Sequence, residues 1–149
     1  MNTHLGFCLA LHCAHASVQL KLDDELGLHH GISFHDFVLL NLLAEADAGR
    51  LSISELVRPL GQPQSSVLRQ LIVLEKIGLV VREGAPGCRK AVLRPAGRAL
   101  VNAARETADS ICTDAVESIA PAVMEMVSAE LVTLARTPNQ PVRARVMRR

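Results

Sequence analysis

The sequence predicts a mainly α-helical chain that carries one small β-hairpin, and three observations lead there. Leu, Ala and Val are abundant while Phe7, Phe34 and Phe37 are the only Phe, Trp or Tyr residues, a composition that suits packed helices better than sheet sandwiches. Apolar residues recur at helical spacing over most of the length. Between residues 79 and 94 the pattern changes, where "LVVRE" and "RKAVLR" flank "GAPG" as two short strands would flank a turn.

The 149 residues suffice for one domain with its own core. With 49% hydrophobic and 21% charged residues the chain lies on the globular side of the disorder boundary. No run approaches the roughly 18 to 20 apolar residues that span a bilayer, and no basic leader precedes a cleavage site. The expectation is a cytoplasmic protein with no membrane partner. Four cysteines, Cys8, Cys13, Cys88 and Cys112, without a CxxC, point to free thiols in a reducing compartment.

Residues 3–28 have helical spacing, with Leu11, Val18 and Leu22 on one stripe and Phe7, Leu20 and Leu26 near it, until "GLHHGIS" interrupts. Ser33, with Asp36 three residues on, forms a capping box for "FHDFVLLNLLAEA", and the helix stops around "DAG". "RLSI" reads as a short extended link. Ser52 and Glu55 make a second capping box for "ISELVRPLG", which Pro59 and Gly61 end. Pro63 fits the first position of the next helix, "QPQSSVLRQLIVLEKIG", which stops at Gly78. On that helix Val67, Leu71 and Leu74 share one face, while Ser65, Arg69 and Lys76 project from the other. After the hairpin, Pro95 opens a long helix to about Ser118, and Pro121 opens another to near Pro138. Residues 139–149 form a basic tail.

Two helices joined by a glycine-containing turn, the second starting with short polar side chains and followed by a basic hairpin, make a winged helix-turn-helix. The N-terminal turn of an exposed helix fits a major groove about 12 Å wide, where Gln, Ser and Arg reach base edges, and the hairpin lies over the adjoining minor groove. The charge distribution agrees. Between Arg50 and Arg98 nine Lys/Arg face three Glu, a balance of +6, whereas the remainder has seven basic and twelve acidic residues, −5. A basic segment between acidic flanks is a footprint for a polyanion, and a solvated basic face is the plainer alternative.

In this order and spacing, "HGISFHDFVLLNLLAEADAGRLSISELVRPLGQPQSSVLRQLIVLEKIGLVVRE" resembles the second helix through the first wing strand of the multiple-antibiotic-resistance regulator (MarR) family, and "PAGRAL" is similar to that family's entry into the fifth helix. The resemblance covers nearly the whole chain. It implies a single domain over 1–149: helices in 1–31 and 96–138 that dimerise, a winged helix-turn-helix lobe over 33–95, and the tail. The function it implies is that of a homodimeric, non-catalytic repressor on a pseudo-palindromic double-stranded DNA operator, released by an effector. Carried over by position, Gln64, Ser65 and Arg69 face bases, Ser66 and Gln70 stand beside them with Gln70 nearer the buried side, Ser52 lies near a phosphate, and Arg89 and Lys90 form the basic pair of the wing. Cys88 stands where the family often has an aspartate, and the hairpin is a couple of residues shorter.

The stretch "FCLALHCAH" adds a separate question. At 100° per residue, His4, Cys8, His12 and His15 fall within an arc of about 80°, with Cys13 on the other side. In a metal reading (zinc or copper), Cys8 and His12 at i, i+4 meet one ion with His4 or His15 as a third ligand, and further ligands come from elsewhere, such as His29, His30 or His35. All four groups of the helix cannot converge, because they spread along roughly 16 Å of it. In a redox reading, the stretch "GFCLALH" is similar to the first helix of the organic hydroperoxide resistance regulators, which implies a peroxidatic Cys8 and a resolving Cys112. That subgroup polarises its cysteine with tyrosine hydroxyls, and this chain has no tyrosine. In the plainest reading Cys8 is a small buried hydrophobe at a dimer interface, Cys13 and Cys112 pack, and Cys88 is exposed. A small organic ligand between the helices and the winged lobe, its carboxylate met by His12, His35 or Arg50, is the remaining option. Two rivals of another class are a thiol redox enzyme built on Cys8 and a winged-helix protein-interaction module without DNA binding.

Overall fold

The structure, a computed structural model, describes residues 3–136, so the basic tail expected at 139–149 lies outside the described residues. The chain divides into two units, residues 1–116 and 117–149. The first unit contains α1 (Thr3–His30), α2 (Phe34–Glu45), a 3-10 turn (Asp47–Gly49), β1 (Arg50–Ser52), α3 (Ile53–Leu60), α4 (Gln64–Lys76), β2 (Val80–Glu83), β3 (Lys90–Leu93) and α5 (Pro95–Val116). The second contains α6 (Pro121–Arg136). Among the described residues no single helix is long and apolar enough to cross a membrane.

Helix boundaries follow local capping chemistry. Ser33 Oγ accepts from the Asp36 N–H (3.1 Å) while the Asp36 carboxylate accepts from the Ser33 N–H (3.2 Å), which satisfies two orphan donors at the start of α2. The same reciprocal pair, Ser52 and Glu55, starts α3. Gly61 ends α3 in the left-handed region at φ 60° and donates its N–H to the Arg58 carbonyl (3.1 Å), so the residue that stops the helix also satisfies it. Pro59 lies inside the last turn of α3 and does not end it.

The strands form a three-stranded antiparallel sheet in the order β1-β3-β2. The expected hairpin is its larger part, with Val80 opposite Leu93 and Glu83 opposite Lys90. "RLSI" is more than a link: Arg50, Leu51 and Ser52 pair with Val92, Ala91 and Lys90. This third strand clamps the far edge of the wing to the start of α3.

Two clusters make the core of the first unit. Leu39, Leu40 and Leu43 of α2, Leu56 of α3, Val67, Leu71 and Leu74 of α4, Val80 and Ala91 of the sheet, and Val101 of α5 close the winged lobe. Leu22 and Leu26 of α1 pack with Ile32, Phe37, Ala104 and Ala108 in the second cluster, and half-buried Leu100 touches both. Polar contacts add register: Arg105 donates to Asn41 Oδ1 (2.8 Å) and pairs with Glu45, tying α5 to α2. The α1 stripe is only partly as expected. Leu22 and Leu26 are buried and Leu11 and Val18 half-buried, but Phe7 and Leu20 are exposed.

Candidate nucleic-acid interface

Helix α4 divides cleanly between two faces. Val67, Leu71 and Leu74, at i, i+4 and i+7, are fully buried, so the helix is locked to the core by three side chains. Gln64, Ser65 and Arg69 are exposed and Ser66 is half-buried. Arg69 Nη2 donates to Ser66 Oγ (3.3 Å), one turn back along the exposed face. Pro63 is the N-cap and not the first helical residue, with an extended ψ of 150° and no side-chain cap. The Pro63 carbonyl takes up the Ser66 N–H (3.0 Å), and no side chain of the N-cap takes up those of Gln64 and Ser65, which lie in the positive field of the helix end.

The wing stands beside this helix through Glu75 and Arg82. Arg82 donates its backbone N–H to Glu75 Oε1 (2.9 Å) and its Nε to Oε2 (2.8 Å), with Nη2 also 2.8 Å from Oε2. These bonds hold the Glu75 carboxyl below its ordinary value of 4.5, the backbone hydrogen bond first and the side-chain hydrogen bond next. Arg89 and Lys90, at the wing's return, are exposed. Between wing, α3 and α4 lies an open cleft of about 680 Å³, lined by Ser52, Ser54, Gln64, Arg82, Cys88 and Arg89 among others. Ile53, Leu68 and Pro86 make much of its wall apolar, while Arg89 and the serine hydroxyls are its groups suited to anionic oxygens.

Ser52 lines that cleft, but its hydroxyl is already engaged, donating to Glu55 Oε2 (2.7 Å). Hydrogen bonds from the Ser52 hydroxyl and backbone hold the Glu55 carboxyl low. Gln70 departs from the exposed set. It is half-buried and donates Nε2 to Asp36 Oδ1 (3.0 Å), while its Oε1 is buried without a hydrogen-bond partner. This link and the Glu75–Arg82 clasp escaped sequence reasoning; only the position of Gln70 at the edge of the buried face hinted at the first.

The cysteine and histidine residues lie elsewhere. His4, Cys8, His12 and His15 are all on exposed turns of α1, and Cys13 is exposed too. Cys13 and Cys112, expected to pack, are exposed in the single chain: Cys13 lies on the half of α1 before it meets the core at Val18, and Cys112 lies near the end of α5, beyond the buried Ala108. Cys8 is exposed in the single chain as well. Cys88 is exposed, as expected. The Cys112 thiol is pushed up by partial burial and by the Asp109 carboxylate, which disfavours its thiolate. His35 stands on α2 with Nδ1 3.4 Å from Gln19 Nε2. Among the described residues no three His, Cys, Asp or Glu side chains come together in a way that could hold a metal ion.

Comparison with known proteins bears on this geometry. The model of the IclR helix-turn-helix domain matches residues 37–84, from α2 through β2. No curated protein matches by sequence. Among solved structures, Sco3205, a MarR family transcriptional regulator from Streptomyces coelicolor in complex with DNA, is 22% identical with a TM-score of 0.79, covering 91% of this chain and 88% of that one. A MarR family regulator from Rhodococcus sp. RHA1 is 20% identical with a TM-score of 0.83, covering 93% and 99%. CouR from Rhodococcus jostii RHA1, bound to p-coumaroyl-CoA, is 21% identical with a TM-score of 0.81, covering 92% and 95%. The chain has the winged helix-turn-helix fold of the MarR family transcriptional regulators.

Proposed function

We propose that the chain is a DNA-binding transcriptional regulator that acts as a homodimeric repressor on a pseudo-palindromic operator. One observation carries the reading: Gln64, Ser65 and Arg69 are presented on the free face of α4, on the same side of the lobe as a wing with exposed Arg89 and Lys90. Arg69 and Gln64 are suited to base edges, whereas Arg89, Lys90 and the first-turn amides of α4 are suited to phosphates. The DNA bound by Sco3205 and the coenzyme A thioester bound by CouR show what proteins of this fold take up, and they support the reading by analogy.

Uncovered apolar surface supports the dimer in this reading. Leu5, Phe7 and Leu9 on α1 and Val123, Met126, Val127 and Leu134 on α6 are exposed in the single chain. A second copy covering these faces would set two α4 helices against successive major grooves, about one DNA turn apart. An effector that altered the helical interface would move both readers together.

The test is fluorescence-anisotropy titration of a duplex that the wild-type protein selects from a random-sequence library, at several salt concentrations. Affinity should fall steeply as salt rises. Arg69→Ala should weaken binding by about 1–3 kcal/mol and relax preference at one base position, and Arg89→Ala should weaken all sequences alike and lower the salt slope by about one. Wild-type affinity in both variants would refute the reading.

A further inference from the structure

We propose that Gln70 is a positioning residue and not a base reader: with Asp36 it forms a strut that ties α4 to the junction of α1 and α2, and so sets the rotation at which Gln64, Ser65 and Arg69 are presented. The proposal rests on the DNA-binding reading above.

Asp36 is where three donors meet. Its Oδ2 accepts from the Ser33 N–H (3.2 Å) and the Ser33 hydroxyl (2.9 Å), and its Oδ1 accepts from Gln70 Nε2 (3.0 Å). A carboxylate only accepts, so the Gln70 amide nitrogen must face it and the amide oxygen must turn away. That oxygen is left buried without a partner, a cost that an apolar side chain at this position would avoid.

The junction that Asp36 caps is itself pinned to α1. The Phe34 N–H donates to Asp23 Oδ1 (2.6 Å), and Gln19 Nε2 reaches Asp23 Oδ2 (3.5 Å) and stands 3.4 Å from His35 Nδ1. A continuous polar path thus runs from α1 through the start of α2 to the middle of α4. Its end point is adjacent in sequence to Arg69. A turn of α4 by roughly 20° would carry a side-chain tip 5–6 Å from the helix axis by about 2 Å, enough to break a hydrogen bond to a base edge. Val67, Leu71 and Leu74 hold the helix against the core, and the strut adds a directional bond at the edge of that face, next to Arg69.

The experiment compares wild type, Gln70→Leu, Asp36→Ala and the double variant on the library-selected duplex and on its complete set of single-base-pair substitutions, with thermal midpoints measured alongside. Gln70→Leu should keep its midpoint within about 3 °C of wild type, since the lost hydrogen bond is offset by the removed orphan oxygen. It should bind the selected duplex about 5- to 10-fold more weakly and shrink the differences among the single-base-pair substitutions at several positions together, and should add no further loss to Asp36→Ala. Should Asp36→Ala fail to fold, Asp36→Ser, whose shorter hydroxyl stays near the Ser33 N–H but lacks the second oxygen that meets Gln70, serves the same comparison. Wild-type affinity in Gln70→Leu overturns the proposal. So does a loss confined to one base position, or one that persists undiminished without the Asp36 carboxylate. If the wild-type protein selects no duplex, the DNA-binding reading itself has failed and the strut falls with it.

Discussion

At the scale of single residues, the tightest constraint is Gly97 in the first turn of α5. A Cβ there would press on the Leu79 carbonyl oxygen and come within 2.7 Å of Leu93 Cδ1. The missing side chain is what lets α5 start directly against the strands of the wing. Replacing glycine by alanine inside a helix ordinarily gains about 0.5–1 kcal/mol. Here the neighbour is backbone that is itself held, because the Arg94 N–H donates to that same Leu79 carbonyl (3.0 Å). Overpacking of this kind costs about 1–3 kcal/mol and outweighs the propensity gain. Gly97→Ala should therefore lower the urea midpoint, and an unchanged or higher midpoint would show that the strand yields.

At the scale of elements, the recognition helix and the wing are joined by the Glu75–Arg82 clasp, which gives stability a pH dependence. The folded carboxyl of Glu75 titrates below its ordinary 4.5 because two Arg82 hydrogen bonds favour the charged form. Between the two values the unfolded chain binds more protons, so stability rises with pH there. The contribution is complete above about pH 4.5 and is lost as pH falls through the lowered value. Glu75→Gln keeps an acceptor for Arg82 but removes the charge. It should be less stable than wild type at neutral pH by up to about 1 kcal/mol, because the pair is only partly covered. The difference should shrink in urea titrations taken down to about pH 3; a difference that stays constant with pH would assign the clasp to shape alone.

The same scale shows what the sequence made legible. Helix starts at Ser33 and Ser52 and the stop at Gly61 are decided by residues within four positions, so local chemistry reveals them. The free face of α4 is equally legible, since periodicity alone separates Arg69 from Val67 and Leu71. The pairing of β1 was not legible. "RLS" is too short to show alternation, and its partner lies about forty residues on. Gln70 failed for a related reason: periodicity placed it at the edge of the buried face, but only its meeting with Asp36, 34 residues earlier, decides what it does.

At the scale of the molecule, the first half of α1 poses the remaining problem, because its apolar side chains are exposed in the single chain. Leu5 and Phe7 are 55% exposed and Leu9 46%, in the same turns that carry Cys8 and His12. The packed half of α1 nucleates this segment, but its exposed apolar side chains gain only when another surface covers them. A second copy is the simplest such surface, and it would enclose Cys8 along with the apolar residues. Sedimentation equilibrium of the 16.1 kDa chain should then give twice that mass at micromolar concentration. Phe7→Glu, which places a charge in the covered region, should shift the population toward monomer and weaken binding to a two-half-site duplex far more than to a single half-site, since only the former gains from linking two readers. Cys8 in the wild-type dimer should react with a maleimide more slowly than in Phe7→Glu. Equal rates in the two proteins, with the wild type dimeric, would place Cys8 outside the interface and return its exposed thiol to contact with solvent in the assembled protein.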